Sequence, residues 1–283
     1  MRISGIIKIA AVLGLDFTVI YCLFGWEAAA VVTAGILLYA WLGEYLALWK
    51  DGAIRADRLQ DYERSRLTRA MEHLAMDVQR TSGRSISRLK IHLIPSDSIN
   101  AYAYGLRNIA VTRAALQCCD DATLCAVLGH ELSHIFNLDA VFFRLLFASV
   151  ALILGGLIGI SFLSVSFLWI IFAVLCALRL CGGIFSMFLF RGFSSLIKGF
   201  FTLIQHGVLF LYQTVMGFIN RGCEYRADRY SCQLGYGPQL SYFLTRFIEG
   251  GESRTRSLTE IIYSTHPATY KRTLRIEQYS SAP

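Results

Sequence analysis

Residues 127–139 read VLGHELSHIFNLD. His130 and His134 stand four apart, so on a helix both rings project from one face and can share one metal ion. Glu131 follows His130 directly and is turned about 100° around the axis. From there it does not easily become a third ligand beside the two histidines, but it can reach a water held by the metal. Zinc lowers the pKa of such a water toward about 7, and a carboxylate then takes its proton. The chemistry this spacing predicts is metal-assisted hydrolysis.

A catalytic zinc needs a third protein ligand and one open position. A third histidine in the metzincin pattern would require Gly at 137 and His at 140, but the chain has Asn137 and Ala140. The alternative is a glutamate on a second helix, and the stretch NRGCEYRADRYSC offers Glu224. Asp228 is one turn further on the same face and could accept the outer ring N–H of a ligating histidine. Ion pairs of Glu224 with Arg221 or Arg226, and of Asp228 with Arg226 or Arg229, would explain the same residues without a metal.

The elements that must position these groups come next. Asp120 or Asp121 can N-cap a helix running from Ala122 to about Asn137. Upstream, RLKIHLIPSD reads as a strand ended by Pro95. NAYAYGLRNIAVT reads as a short strand, a turn around Gly105 and a second strand to Thr112. His92 alternates with Ile91 and Leu93, which points it to solvent. A long amphipathic helix is expected from about Ala53 to Arg80, with Leu67, Met71, Leu74 and Val78 at helical spacing. His73 within it has no partner at ligand spacing, and His206 reads as a buried or interfacial histidine.

The chain has 283 residues, of which 55% are hydrophobic, and a mean hydropathy of +0.48, above the usual range of soluble domains. Residues 4–24 and 28–49 are apolar runs of spanning length. The first is too long for the apolar core of a cleaved signal, and its Asp16 must face protein or water. The connector between them has no Lys or Arg, whereas Lys50, Arg55, Arg58, Arg64, Arg66 and Arg69 follow the second. The positive-inside rule then puts the N-terminus and everything after Trp49 in the cytoplasm. The formal charge of +7 fits such loops, and without a basic patch interleaved with aromatics no nucleic-acid partner is expected. Eight cysteines without a CxxC pair fit a reducing compartment.

If two zinc-helix histidines and a Glu224 helix share one metal, the apolar stretch between them crosses the membrane an even number of times. One arrangement is a tight hairpin of residues 143–162 and 165–182, with 200–219 as an interfacial helix. In the other, 200–219 is the returning span and 143–182 is partly re-entrant.

The whole chain resembles the HtpX-like integral-membrane zinc metalloproteases, relatives of the CAAX prenyl endopeptidases. INAYAYG is similar to the family's edge strand, VLGHELSHIFNLD to its zinc helix, CEYRAD to its E-[FY]-x-A-D motif and STHPATYKR to its S-T-H-P-x-x-x-x-R segment. The chain departs from the family pattern at Asn220 and Cys223, and its apolar insertion is long. The resemblance implies one Zn²⁺ per chain on His130, His134 and Glu224, with Asp228 orienting a histidine. It implies Glu131 as the catalytic base, His266 and Arg272 as catalytic groups near the active site that stabilise the oxyanion or brace the Glu224 helix, and a substrate strand at Asn100, Ala101, Tyr102 and Ala103.

The expected fold is therefore α+β and mostly helical, a zincin-like (gluzincin) metalloprotease domain with about four transmembrane helices. Residues 1–50 would hold two spans, 51–140 the half with the zinc helix, 141–219 the membrane insertion and 220–283 the third-ligand helix. The expected function is a membrane-bound zinc endopeptidase acting on membrane or membrane-proximal proteins in quality control. It would lie in a bacterial inner membrane with its active site facing the cytoplasm. A non-catalytic membrane scaffold or sensor with a structural zinc is the competing reading, which leaves Glu131 without a use.

Overall fold

The computed structural model describes residues 2–248 and 267–281. Helix α1 covers Arg2–Lys50, but Gly25 within it has non-helical φ 85° and ψ 175°. Glycine adopts this left-handed φ without the penalty a Cβ would bring. A Cβ on Gly5 would meet the Asn137 carbonyl, and one on Gly43 would meet the Arg144 side chain. On one straight helix Gly5 and Gly43 would be about 57 Å apart. Asn137 and Arg144 can be no more than about 25 Å apart along the chain. Helix α1 therefore folds back at Gly25 into two arms, each of spanning length.

The rest of this unit (residues 1–146 and 217–283) is built on a small sheet. Strands β1 (Ile54–Arg55), β2 (Lys90–Ile94), β3 (Ala101–Tyr104) and β4 (Asn108–Thr112) lie in the order β1-β2-β4-β3. β2 and β4 are parallel, while β1 and β3 pair antiparallel and form the edges. One sheet face, with Leu93, Ile109 and Val111, packs in the core with helix α2 (Asp61–Ser82) and helix α4 (Asp121–Phe136). The other face, with Ile94, Tyr104 and Ala110, packs on Leu48 of the second arm of α1. Helix α3 (Arg113–Cys118) joins β4 to α4, and α7 (Gly237–Phe243), a π-turn at Leu244–Ile248 and α8 (Thr269–Ser281) close the unit.

Two expectations are corrected here. Helix α2 begins at Asp61 rather than near Ala53, because Ile54 and Arg55 pair with Leu93 and His92 and cover the open side of β2. His92 is buried rather than solvent-facing, with its Nε2 2.9 Å from Asn108 Oδ1. Simple alternation assumes one wet sheet face, and here α1 covers that face.

Helix α5 runs unbroken over Asp139–Ala177, and α6 runs over Ile184–Gln233. The turn expected between residues 162 and 165 is not formed, because LSV offers no helix breaker there. The break falls at residues 178–183, where Arg179 (φ 56°) and Gly183 (φ 94°) are left-handed. Residues 147–216 form a second unit, a helical hairpin in which the Phe172 and Phe190 rings meet at 4.5 Å. The 143–162/165–182 hairpin is not formed: 143–177 lie on one continuous helix, and 200–219 lie within the second.

Among the described residues, three helices are long and apolar enough to cross a membrane: Ile3–Lys50, Asp139–Ala177 and Ile184–Gln233. The fold at Gly25 makes them four apolar segments. Their large side chains are exposed, as Phe162 (70%), Leu163 (66%) and Leu203 (72%) illustrate. Contiguous apolar surface of that extent requires lipid rather than water as its solvent. The protein is mostly helical, with a small sheet and membrane-spanning helices.

Candidate metalloprotease site

The Asp120 side chain accepts the Thr123 N–H at 2.7 Å and starts α4. Three turns on, His130 and His134 bring their Nε2 atoms within 3.2 Å of each other. Glu224, from α6, puts Oε2 3.5 Å from His130 Nε2 and Oε1 3.7 Å from His134 Nε2. These three residues form one compact ligand group, their donor atoms all within 4.8 Å of one another.

Each outer ring nitrogen faces a carboxylate. His130 Nδ1 lies 2.9 Å from Asp228 Oδ1, and His134 Nδ1 lies 3.0 Å from Asp139 Oδ2. Carboxylates accept only, so both Nδ1 atoms carry the proton and both Nε2 atoms turn lone pairs inward. Two nitrogen lone pairs and a carboxylate thus converge, none of the three donating to another. One relief is to protonate a ring: burial opposes this, but Asp228 and Glu224 overcome it and push His130 up to about 10. A divalent cation relieves all three acceptors together, so the donor set fits zinc.

Two arginines hold the carboxylates. Arg272 on α8 donates to Asp228 from Nε at 2.9 Å and Nη2 at 2.7 Å, and its Nη1 lies 3.1 Å from Glu224 Oε2. Arg226 donates Nη2 to both oxygens of Asp139 at 2.8 Å. Asp228 has no exposed surface and Asp139 2%. Burial without these partners would be expensive for either carboxylate.

The site opens into a cleft of about 420 Å³ whose wall includes Asn100, Ala101, Tyr102 and Ala103 of the edge strand. Thr112 N–H bonds the Asn100 carbonyl at 3.0 Å, so in the antiparallel ladder Tyr102 and Tyr104 also turn their backbone groups inward. The backbone groups of Ala101 and Ala103 therefore face the open edge. The Ala103 N–H faces the Glu131 carboxylate, whose pKa is raised chiefly by burial and also by Glu224. Glu131 stands between the ligand group and the strand.

A model of peptidase family M48 matches residues 61–280. The chain belongs to peptidase family M48. Two M48 relatives, each a "Protease HtpX homolog", are similar over most of the chain. The protein of Lactobacillus helveticus (strain DPC 4571) is 26% identical over 89% of this chain and 87% of its own length. That of Lactobacillus acidophilus (strain ATCC 700396 / NCK56 / N2 / NCFM) is 25% identical over 89% and 86%. The crystal structure of S. mikatae Ste24p aligns with a TM-score of 0.50 and 17% identity over 97% of this chain. That likeness is one of fold, and the chain spans 65% of the length of Ste24p.

As an M48 metalloprotease of the membrane type, the chain brings His130, Glu131, His134, Glu224, Asp228, Arg272 and the strand Asn100–Ala103 into one cleft. His266 lies outside the described residues. Asp139 and Arg226 are further members of the site that spacing did not single out. Asp139 sits five residues past His134, beyond a turn in which Leu138 is left-handed (φ 58°). Helical periodicity carries no signal across such a turn.

Proposed function

We propose that the chain is a zinc-dependent endopeptidase that cleaves membrane or membrane-proximal proteins in quality control. The observation that carries this reading is the position of Glu131, beside three converging acceptors and facing the Ala103 N–H of an open strand edge. A structural metal site has no use for a carboxylate there, so the scaffold reading is the weaker.

His130 Nε2, His134 Nε2 and the Glu224 carboxylate would hold the zinc, leaving one position open to the cleft. Bound there, zinc supplies Lewis acidity toward a water and the scissile carbonyl. Glu131 takes the proton of the attacking water and delivers it to the leaving amine. Asp139 and Asp228 keep the protons on Nδ1 so that the Nε2 lone pairs stay inward. Arg272 braces Glu224 and Asp228 rather than meeting substrate. An extended peptide would lie along Ala101 and Ala103 as an added strand.

We further place residues 51–140 and 220–283 on the cytoplasmic side of a bacterial inner membrane. The cations that follow Trp49 support that orientation, as does the parity imposed by a shared metal. The substrate class follows from a cleft tethered by four apolar segments.

Zinc content and cleavage of unfolded casein, measured on the detergent-purified protein beside its Glu131→Gln form, test the reading. Gln cannot take the proton but leaves the ligands intact, so zinc is retained and turnover falls by about 10²–10⁴-fold. Equal turnover in the two forms would remove Glu131 as the base.

A further inference from the structure

Glu44 lies on the second arm of α1, in an apolar segment of spanning length, yet it is 6% exposed and does not face lipid. Its carboxylate reaches the turn that joins β3 to β4. Oε2 accepts the Leu106 N–H at 3.3 Å, and Oε1 accepts from Asn108 Nδ2. Asn108 in turn takes His92 Nε2 on its Oδ1 at 2.9 Å. The turn lies flat against the carboxylate: a Cβ on Gly105 would stand 2.0 Å from Glu44 Oε2 and 2.7 Å from Arg144 Nη2. Just before Gly105, Tyr104 donates its hydroxyl to Asp51, just past the end of the same arm. The closed end of the β3–β4 hairpin is thus fixed at two points to α1.

The open end of that hairpin is the candidate substrate edge. Its outward N–H groups face acceptors: Ala101 N–H bonds Asn100 Oδ1 at 2.9 Å, and Ala103 N–H faces Glu131. A peptide binding here must meet Ala101 and Ala103 in register with Glu131. A two-residue ladder tolerates little slippage before its groups miss the base. What prevents slippage is the anchored turn just past Ala103, because β3 is an edge strand with β4 as its one sheet neighbour.

We propose that Glu44 is a positioning residue for peptide binding, which acts through Asn108 and the Gly105 turn to hold Ala101 and Ala103 in register with the catalytic cleft. A carboxylate on a membrane arm would then belong to the substrate site. This rests on the endopeptidase reading above and adds to it how the peptide strand is held.

The test uses the full chain in detergent with casein as the probe. Glu44→Gln keeps the side chain's size but sets an amide against the Asn108 amide and removes the charge facing Arg144. Cleavage kinetics should show KM raised about tenfold, kcat within about twofold and zinc still at one per chain. Fluorescein-casein binding to the Glu131→Gln form, with and without Glu44→Gln, should weaken by the same factor, and this arm needs no turnover. Asn108→Ala should match Glu44→Gln, and the double variant should be no worse than either, because both act on one link. Tyr104→Phe, which removes only the hydroxyl on Asp51, should give a smaller rise in KM. Unchanged KM and unchanged casein binding in folded, zinc-loaded Glu44→Gln overturn the proposal, as does a loss confined to kcat. If Glu131→Gln leaves turnover unaltered, the endopeptidase reading fails, while the binding arm still decides whether Glu44 holds the strand.

Discussion

In the unit of residues 1–146 and 217–283, Leu128, Leu132 and Asp228 have no exposed surface, whereas in the hairpin of residues 147–216 Phe162 is 70% and Leu163 66% exposed. The first unit buries Glu44, Asp139, Glu224, Asp228 and Arg272 and pairs them with named groups. The second has only Arg179, Arg191 and Lys198 as charges and leaves its large side chains outward. One is specified atom by atom, and the other by composition and length. The difference follows from solvent: a core must be packed and its polar groups paired, whereas lipid accepts any apolar surface. Substitutions should therefore act through geometry in one unit and scarcely at all in the other.

The largest expected effect is at Glu224. Glu224→Ala removes one of three converging acceptors, so dialysed protein should lose its zinc and all cleavage. Glu277→Ala, at an exposed position of α8, should keep one zinc per chain and full activity. Metal analysis of the two variants decides it. Zinc retained by Glu224→Ala would mean that the third ligand lies elsewhere.

Next in size is a matched pair of leucines. Leu128→Ala empties part of a core where nothing is exposed and should cost about 2–5 kcal/mol. Leu163→Ala trims a side chain that is 66% exposed and should stay within about 0.5 kcal/mol. Unfolding in mixed micelles measures both. Equal losses would erase the distinction between the units.

Smaller effects are expected one bond away from the metal. Asp228→Ala and Asp139→Ala each free an Nδ1 proton from its acceptor and should weaken zinc binding by about 10–100-fold. Asp228→Ala should be the worse, because it strands Arg272, 9% exposed, while Arg226 is 30% exposed and can turn to water. Chelator competition gives the order, and the reverse order would mean that Arg272 is not held by Asp228.

These cases also mark what the sequence carried. His130, Glu131 and His134 were legible because one helix fixes their mutual geometry by spacing alone. Glu224 is about ninety residues further on, and its choice over other acids needed the family resemblance. Spacing did not single out Asp139, which lies past the left-handed Leu138, or Glu44, whose partners come from the β3–β4 turn. His92 was misread for a related reason: its strand alternates correctly, but α1 covers the face taken to be wet. Four apolar segments were legible from hydropathy, whereas the place of the break was not. Helix ends depend on breakers, and the expected turn at 162–165 has none, unlike the Cys181–Gly182–Gly183 stretch. Local signals were thus readable, and contacts between distant segments were not.

The smallest effect is at the start of the zinc helix and tests whether the specified unit depends on its cap. Asp120 is exposed, and the Thr123 N–H it accepts holds its carboxyl below the usual carboxylate range. Asp120→Ala removes that acceptor and should cost about 1 kcal/mol at pH 7. A folded-state pKa below the unfolded value contributes stability that is present above the unfolded pKa. It is lost as pH falls through about 4 toward the lower folded value. The gap between parent and Asp120→Ala should therefore be full at pH 7 and shrink at pH 3. Asp120→Asn keeps a good cap without a titrating proton, so its stability should match the parent at pH 7 and exceed it at pH 3. Unfolding curves of the three proteins at both pH values measure this. A gap that stays constant between the two pH values would mean that the charge of Asp120 contributes nothing, and that the cap acts through its shape alone.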